Sequence, residues 1–391
     1  MNKLLIKYIF PVVGLLAFSA CHSDEPDEPV ATAERTVLVY QEAFNDLGDE
    51  GWDRDDINEM RQAAKAGDIK NNHLLVYNSR RSGIYLMEIL PDRIDTLKAY
   101  DRSQLTVSSS RMKEVLADVK SLKPAPSYGL VLWSHGNGWL QDGISDPMDS
   151  PKRSFGNENF RSRMNITTLA RVLEGEDLDF LYFDCCFMGS VETLYELRDV
   201  APVIVSSPSE LPKPGMPYNL NVGPFFRSGS ADIVTAAQNT FRYYNSMTGA
   251  DRTCTMTVTD ATKLEALAAA TKAVYEKASP TLPVGFTPQQ YEDGSFGGYY
   301  SDFRQYVNAL CFDMNGSPRF ENAQALADNF NAAFDAATLY FEATPKLWGF
   351  MSLENTTGLS TYILRNASLA SSHKYNTLGW YADVASSLKF N

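Results

Sequence analysis

Short apolar runs alternate with amphipathic stretches through the first half of this 391-residue chain, and that alternation narrows the fold more than any other feature. TVLVY at 36–40, HLLVY at 73–77, YGLVLW at 128–133 and LDFLYF at 178–183 are compact, β-branched or aromatic segments. Such continuous runs belong to strands buried on both faces of a sheet. Residues 83–89 and 202–206 add two shorter strand candidates. Between them lie helical stretches at 52–66, 108–120 and near 167–174, and another carrying Val191, Leu194 and Tyr195 on one face. In 108–120, Met112, Val115, Leu116 and Val119 follow the i, i+3, i+4, i+7 spacing of an amphipathic helix. Strands and helices in this order predict an α/β/α sandwich around a mostly parallel sheet. The second half predicts helices near 230–247, 261–277 and 320–338 and strands near 255–259 and 359–364, a helical and strand elaboration at the C-terminal side.

Composition excludes several functions. With 44% hydrophobic and 12% aromatic residues the chain can build a large core. Its formal charge of −13 repels a phosphate backbone, and no Lys/Arg run offsets it, so nucleic acid is not an expected partner. Five cysteines and four histidines show no zinc-ligand spacing.

The first twenty residues read as an address. Lys3 and Lys7 precede an apolar segment from Tyr8 to Ala20, the length of a signal-peptide core and short for a membrane span. Ser19 and Ala20 lead directly into Cys21, which resembles a bacterial lipobox: residues 1–20 would be removed and Cys21 lipid-linked to a membrane. Ordinary cleavage nearby, with Cys21 incidental, is the alternative. Residues 21–34 are acidic and Pro-punctuated, the composition of a solvated tether. An acidic stretch behind a lipidated cysteine resembles a surface-export signal of Bacteroides-group lipoproteins, although a plain spacer reads the same way. The expected location is the cell envelope, as an outer-membrane lipoprotein. Residues 35–391 form the folded domain.

Two strand ends carry reactive groups. VLWSHGNGW stops an apolar strand and delivers Ser134, His135, Gly136 and Asn137 to the carboxyl rim, where ligands of open parallel sheets sit. Histidine moves protons near neutral pH, and a following glycine lets a backbone N–H approach a substrate oxygen. FLYFDCCFMG ends a second strand at Asp184, Cys185 and Cys186, ahead of a helix expected to begin around Gly189. A cysteine there feels the positive end of the helix, which favours thiolate. A capping histidine and an inert packed thiol are the bland readings of each taken singly. One helix between two parallel strands makes them neighbours, however, and that sets His and Cys side by side.

These blocks resemble the clostripain family of cysteine peptidases, relatives by fold of caspases, legumains and gingipains. Ser134-His135-Gly136, Asp184-Cys185-Cys186-Phe187-Met188-Gly189, SVETLYEL at 190–197, SSPSELPKPGMPY at 206–218, TMTVTDATKLEAL at 255–267 and TGLSTYI at 357–363 carry the likeness across nearly all of the chain after residue 35. The resemblance implies a caspase-like α/β/α fold and peptide or protein substrates. Its Asp-x-Cys pattern selects Cys186 as nucleophile and leaves Cys185 pointing the opposite way, as structural. It implies a Cys186/His135 dyad, an oxyanion hole from the N–H groups of Gly136 and Cys186, and cleavage after Arg or Lys. No third triad member is evident. Asp184 would pair with a basic substrate side chain at the pocket floor, or else cap the following helix. Family members cut themselves between the His and Cys strands. Lys152-Arg153, in the polar loop 141–165, is the matching nick site, or simply a pair of surface charges. The chemistry requires no cofactor or metal; calcium dependence occurs in the family, and Asp142, Asp146 and Asp149 offer oxygen ligands without an EF-hand pattern. The block 41–46 is only loosely family-like. Cys254 and Cys311 give no indication of a disulfide, and His73 and His373 read as structural or solvated. The class alternative to an enzyme is a surface binding lipoprotein on a peptidase-like scaffold, its dyad unused.

Overall fold

A computed structural model describes residues 33–141, 155–158, 162–227, 230–294 and 297–390. From Ala33 onward the chain forms one unit. Its strands are β1 (Thr36–Glu42), β2 (His73–Arg80), β3 (Gly83–Ile89), β4 (Ile94–Ala99), β5 (Tyr128–Trp133), β6 (Leu178–Asp184), β7 (Val203–Ser206), β8 (Thr255–Asp260) and β9 (Thr338–Ala343). They form one sheet in the order β9-β8-β7-β6-β5-β1-β2-β3-β4. The middle, β7-β6-β5-β1-β2, is parallel, and both edges are antiparallel.

The two-residue period of the strands sorts side chains into two cores. Leu38, Tyr40, Leu75, Tyr77, Leu130, Leu132, Leu181 and Phe183 face one side. Val37, Val39, Leu74, Val76, Val131, Trp133, Phe180 and Tyr182 face the other. The helices are α1 (Asp46–Glu50), α2 (Trp52–Ala66), α3 (Ser109–Leu122), α4 (Ile166–Leu173), α5 (Val191–Glu196), α6 (Tyr218–Phe225), α7 (Ser230–Asn245), α8 (Leu264–Tyr275), α9 (Phe303–Cys311) and α10 (Ala323–Ala337), followed by the short α11 (Ala367–Ser372) and α12 (Gly379–Asp383). Buried residues of α3, α4, α5, α8, α9 and α10 pack on the first face, with Met112, Val115, Leu116 and Val119 forming the stripe of α3. Helices α2, α6 and α7 cover the second face. Burial on both sides leaves every residue of β1 inaccessible, which is why that strand has almost no polar side chains before Gln41.

Three expectations change. The stretch 359–364 is not a strand of the main sheet: only Ser360–Thr361 pairs, with Ser301–Asp302. The loop 141–165 is not wholly a loop, since Phe155–Glu158 and Ser162–Met164 pair antiparallel. Buried Phe155 and Met164 anchor that hairpin to the first core, Phe155 edge-on to Tyr40 at 6.4 Å. The helix after β6 begins at Val191, capped by the Ser190 hydroxyl accepting from the Thr193 N–H. Among the described residues, no helix is long and apolar enough to cross a membrane.

Candidate active site

Register decides where the reactive groups meet. Trp133 at the end of β5 lies opposite Asp184 at the end of β6. Two residues further along each chain come His135 and Cys186, level on the carboxyl rim of the sheet. Gly136 packs so closely on the cysteine segment that a Cβ there would sit 2.6 Å from the Cys186 carbonyl oxygen. Any side chain at 136 would therefore push the two strand ends apart. The hairpin at 155–164 adds a support, because the Gly156 N–H donates to the His135 carbonyl at 3.0 Å.

The end of β1 fixes the imidazole. Asn45 caps α1, and its amide donates to the Glu42 carbonyl (2.9 Å) and to the Ser134 hydroxyl (3.2 Å). Ser134 donates in turn to Glu42 O at 2.9 Å, so the β1 and β5 ends are stapled together. The next residue, Asp46, places Oδ1 2.7 Å from His135 Nε2. That hydrogen bond holds the Asp46 carboxyl below its ordinary value. Asp46, like Glu210 and Trp348 below, is not legible as a site residue in the sequence; its one local signal is its place directly after the Asn45 cap.

The two vicinal cysteines diverge as the resemblance implies. Cys185 is buried in the first core, its thiol donating to Leu132 O at 3.1 Å. Cys186 is partly accessible and approaches the loop after β7: the Leu211 N–H reaches Sγ at 3.4 Å, and Sγ lies 3.7 Å from Leu211 O. The surroundings of Cys186 oppose the expected dipole-favoured thiolate. Burial, followed by the charge of Glu210, pushes the Cys186 thiol up to about 12. With α5 starting five residues later and already capped, its N-terminus lies too far along the chain to offset burial. Phe187 turns the backbone into the left-handed region (φ +59°), and its N–H is tied to Ser209 O at 2.9 Å.

Asp184 lies buried beneath the thiol. It accepts from the Met216 N–H (3.1 and 3.2 Å) and from the Tyr218 hydroxyl (3.2 Å). Gly215 (φ +67°) makes this approach possible, because a Cβ there would fall 2.6 Å from Asp184 Oδ2. The cap of α5 is Ser190, so the helix-capping reading of Asp184 is set aside. Burial pushes its carboxyl up to about 7, and among the described residues no cation contributes to holding the charge.

These groups line a cavity of about 240 Å³, whose walls include Leu47, Trp133, His135, Asp184, Cys186, Glu210, Leu211, Lys213, Gly215 and Trp348. Glu210 accepts from the Trp348 indole at 2.6 Å, and Lys213 is drawn to Glu50 at 2.7 Å. A larger hollow of about 450 Å³ beside Arg35 and Asp179 lies at the opposite end of the strands and contains no nucleophile. His73 pairs with Glu88 (2.7 Å) and His373 with the Tyr362 hydroxyl (2.9 Å), both structural. Cys254 and Cys311 are free thiols. Among the described residues no cluster of His, Cys, Asp and Glu is arranged to hold a metal. Cys21, Lys152, Arg153, Asp142, Asp146 and Asp149 lie outside the described residues.

A thiol and an imidazole over one cavity, on the carboxyl rim of a parallel sheet between helical layers, define the class as a cysteine peptidase. The model of the clostripain family matches residues 39–321, and the chain belongs to that family. It is similar to a secreted C11 cysteine protease from Bacteroides thetaiotaomicron solved with an irreversible peptide inhibitor. The two are 28% identical, with 90% of this chain and 99% of that one covered and a TM-score of 0.72. An inactive zymogen C11 protease from Parabacteroides distasonis is 26% identical over 90% of this chain and 98% of that one, with a TM-score of 0.72. A structure of a secreted C11 cysteine protease from Bacteroides thetaiotaomicron named iotapain shares the fold at a TM-score of 0.75 and 23% identity, covering 90% of this chain and 99% of that one. No curated protein matches the chain.

Proposed function

We propose that the protein is an exported, lipid-anchored cysteine endopeptidase that cleaves after Arg or Lys. The observation that carries this reading is the meeting of Cys186, His135 and the buried carboxyl of Asp184 on the wall of one cavity. Cys186 Sγ attacks the scissile carbonyl carbon, and the oxyanion is received by the N–H groups of Gly136 and Cys186. His135 holds the thiol proton and gives it to the leaving amine. Water, deprotonated by His135, then releases the acyl group and restores the thiol. Asp184 supplies the charge for a basic side chain docked in the cavity. The leader at 1–20 and Cys21 support export and anchoring, and the Bacteroides thetaiotaomicron relative is described as secreted. Cleavage at Lys152 or Arg153 would separate the His and Cys segments after folding.

The test is a panel of fluorogenic peptides with Arg, Lys, Ala or Asp before the scissile bond, with and without calcium. Hydrolysis after Arg or Lys is expected. Activity on Ala or Asp peptides alone would remove the role of Asp184. Silence from a folded protein, even after deliberate nicking within 142–154, would leave a binding scaffold.

Asp46 belongs to this machinery as a positioning residue. An ionised carboxylate can only accept, so Asp46 favours the tautomer with its proton on Nε2 and leaves Nδ1 as the basic nitrogen. An amide at position 46 can donate to Nε2 and so favours the other tautomer. Asp46→Asn is therefore expected to lower kcat about 100-fold with KM little changed. Equal kcat for the two proteins would rule the role out.

A further inference from the structure

We propose that Glu210 is a second carboxylate of the substrate pocket, taking the cationic side chain together with Asp184 and coupling its arrival to the readiness of the Cys186 thiol. This rests on the basic-residue reading above and adds a residue that reading does not use.

Glu210 is held in place through its neighbours on both sides. Ser209 accepts the Phe187 N–H at 2.9 Å, and the Leu211 N–H reaches Cys186 Sγ at 3.4 Å. The loop after β7 is thus bonded to the nucleophile segment immediately before and after Glu210. Its side chain is fixed as well, Oε2 accepting from the Trp348 indole at 2.6 Å. Trp348 itself sits in the left-handed region (φ +52°), with its N–H donated to the Thr253 hydroxyl at 3.0 Å. A bulky residue held in that conformation costs energy, and such strain collects at binding sites.

Charge makes the arrangement purposeful. Asp184 and Glu210 line one cavity, and burial raises both carboxyls. Lys213 is the cation on the cavity wall, and Glu50 draws it outward. Asp46 and Glu50 at the rim, and Asp293 beyond Glu210, add further negative charge. Of all these, Glu210 exerts the largest charge effect on the thiol. An entering guanidinium or ammonium group would stand between two carboxylates, which offsets its own desolvation better than one can. It would also cancel the field of Glu210 at Sγ. The thiol proton can then pass to His135, where it serves the leaving amine.

The probe is methylguanidinium, small enough for the cavity, and the readout is alkylation of Cys186 by iodoacetamide in the full chain, located by peptide mass. In that step the sulfur–carbon bond forms and iodide leaves. Methylguanidinium is expected to speed alkylation of the wild-type protein about fivefold or more. Glu210→Gln, which keeps an acceptor for the Trp348 indole, should alkylate faster without the cation and respond little to it. Its preference for Arg or Lys peptides over Ala peptides should fall about tenfold. If the glutamine variant does not fold, Glu210→Asp, which keeps the charge but withdraws it from Trp348, is expected to lose part of the same preference. Wild-type cleavage after Arg or Lys with a Glu210 variant unchanged in both assays would overturn this inference alone. Slower wild-type alkylation with methylguanidinium would overturn the coupling. A wild-type protein that cleaves only after uncharged residues would remove the basic-residue reading itself.

Discussion

Cys186→Ala is expected to abolish peptide hydrolysis, lowering kcat by about 10⁴-fold or more, while Cys185→Ala keeps activity within a few-fold of wild type. Adjacent positions in one sequence block are thus predicted to differ by four orders of magnitude. The reason is which way each thiol leaves the strand end. Cys186 Sγ stands in the cavity against the Leu211 backbone, where a substrate carbonyl can reach it. Cys185 is sealed in the first core with its thiol on Leu132 O. Removing its sulfur leaves a small void and takes the thiol's bond from Leu132 O, a stability cost of roughly 1–2 kcal/mol, read as a lower midpoint in urea. Loss with Cys185→Ala alone would exchange their roles, and matching losses would remove the distinction between them.

The choice between the two cysteines came from the family's Asp-x-Cys pattern, whereas the meeting of His135 with the cysteine block was readable because β5 and β6 are buried on both faces. Continuous apolar runs mark such strands, and their common end brings His135 and Cys186 level. The same physics hides the sheet edges. Strands β4 and β9 are only half-buried and carry mixed polar and apolar residues, so neither a continuous run nor a clean alternation marks them. Helix α6 contains Gly223 and Pro224 and has no apolar stripe, because nearly all of its sides are covered. The hairpin at 155–164 has strands too short to stand out from the polar loop around them.

The parts of the site that stayed hidden share a cause. Asp46 comes from the turn after β1, Glu210 from the loop after β7, and Trp348 from beyond β9. Each has an ordinary local sequence, and its meaning arises only when the sheet order folds distant loops over one rim. Asp184 shows the intermediate case. The family pattern suggested a pocket floor, a helix cap fitted equally well, and the Ser190 cap removes the second reading.

Asp184→Asn is expected to make the protein more stable and far less active on basic substrates. Burial raises this carboxyl from its ordinary 3.8 to about 7. Between those values the folded chain keeps a proton that the unfolded chain has released, so stability falls as pH rises through that window. The favourable contribution is complete below about pH 4 and lost above about 7, a change of roughly 4 kcal/mol at most. Asparagine fits the same space, accepts the Met216 N–H, and can donate to the Tyr218 oxygen, but carries no charge to desolvate. Urea melts should therefore show the variant ahead of wild type by about 2–4 kcal/mol at pH 8, with the gap closing toward pH 4. On Arg and Lys peptides the loss of a buried charge partner should cost about 10²–10³ in kcat/KM, with the slow hydrolysis of Ala peptides nearly unchanged. Equal stability of the two proteins across this pH range, with basic substrates still preferred, would mean that Asp184 neither strains the fold nor reads the substrate. The opposite result would show why a peptidase keeps a carboxylate without a cation partner in its interior: the substrate itself brings the cation, and the cost of the buried charge becomes affinity for the right peptide.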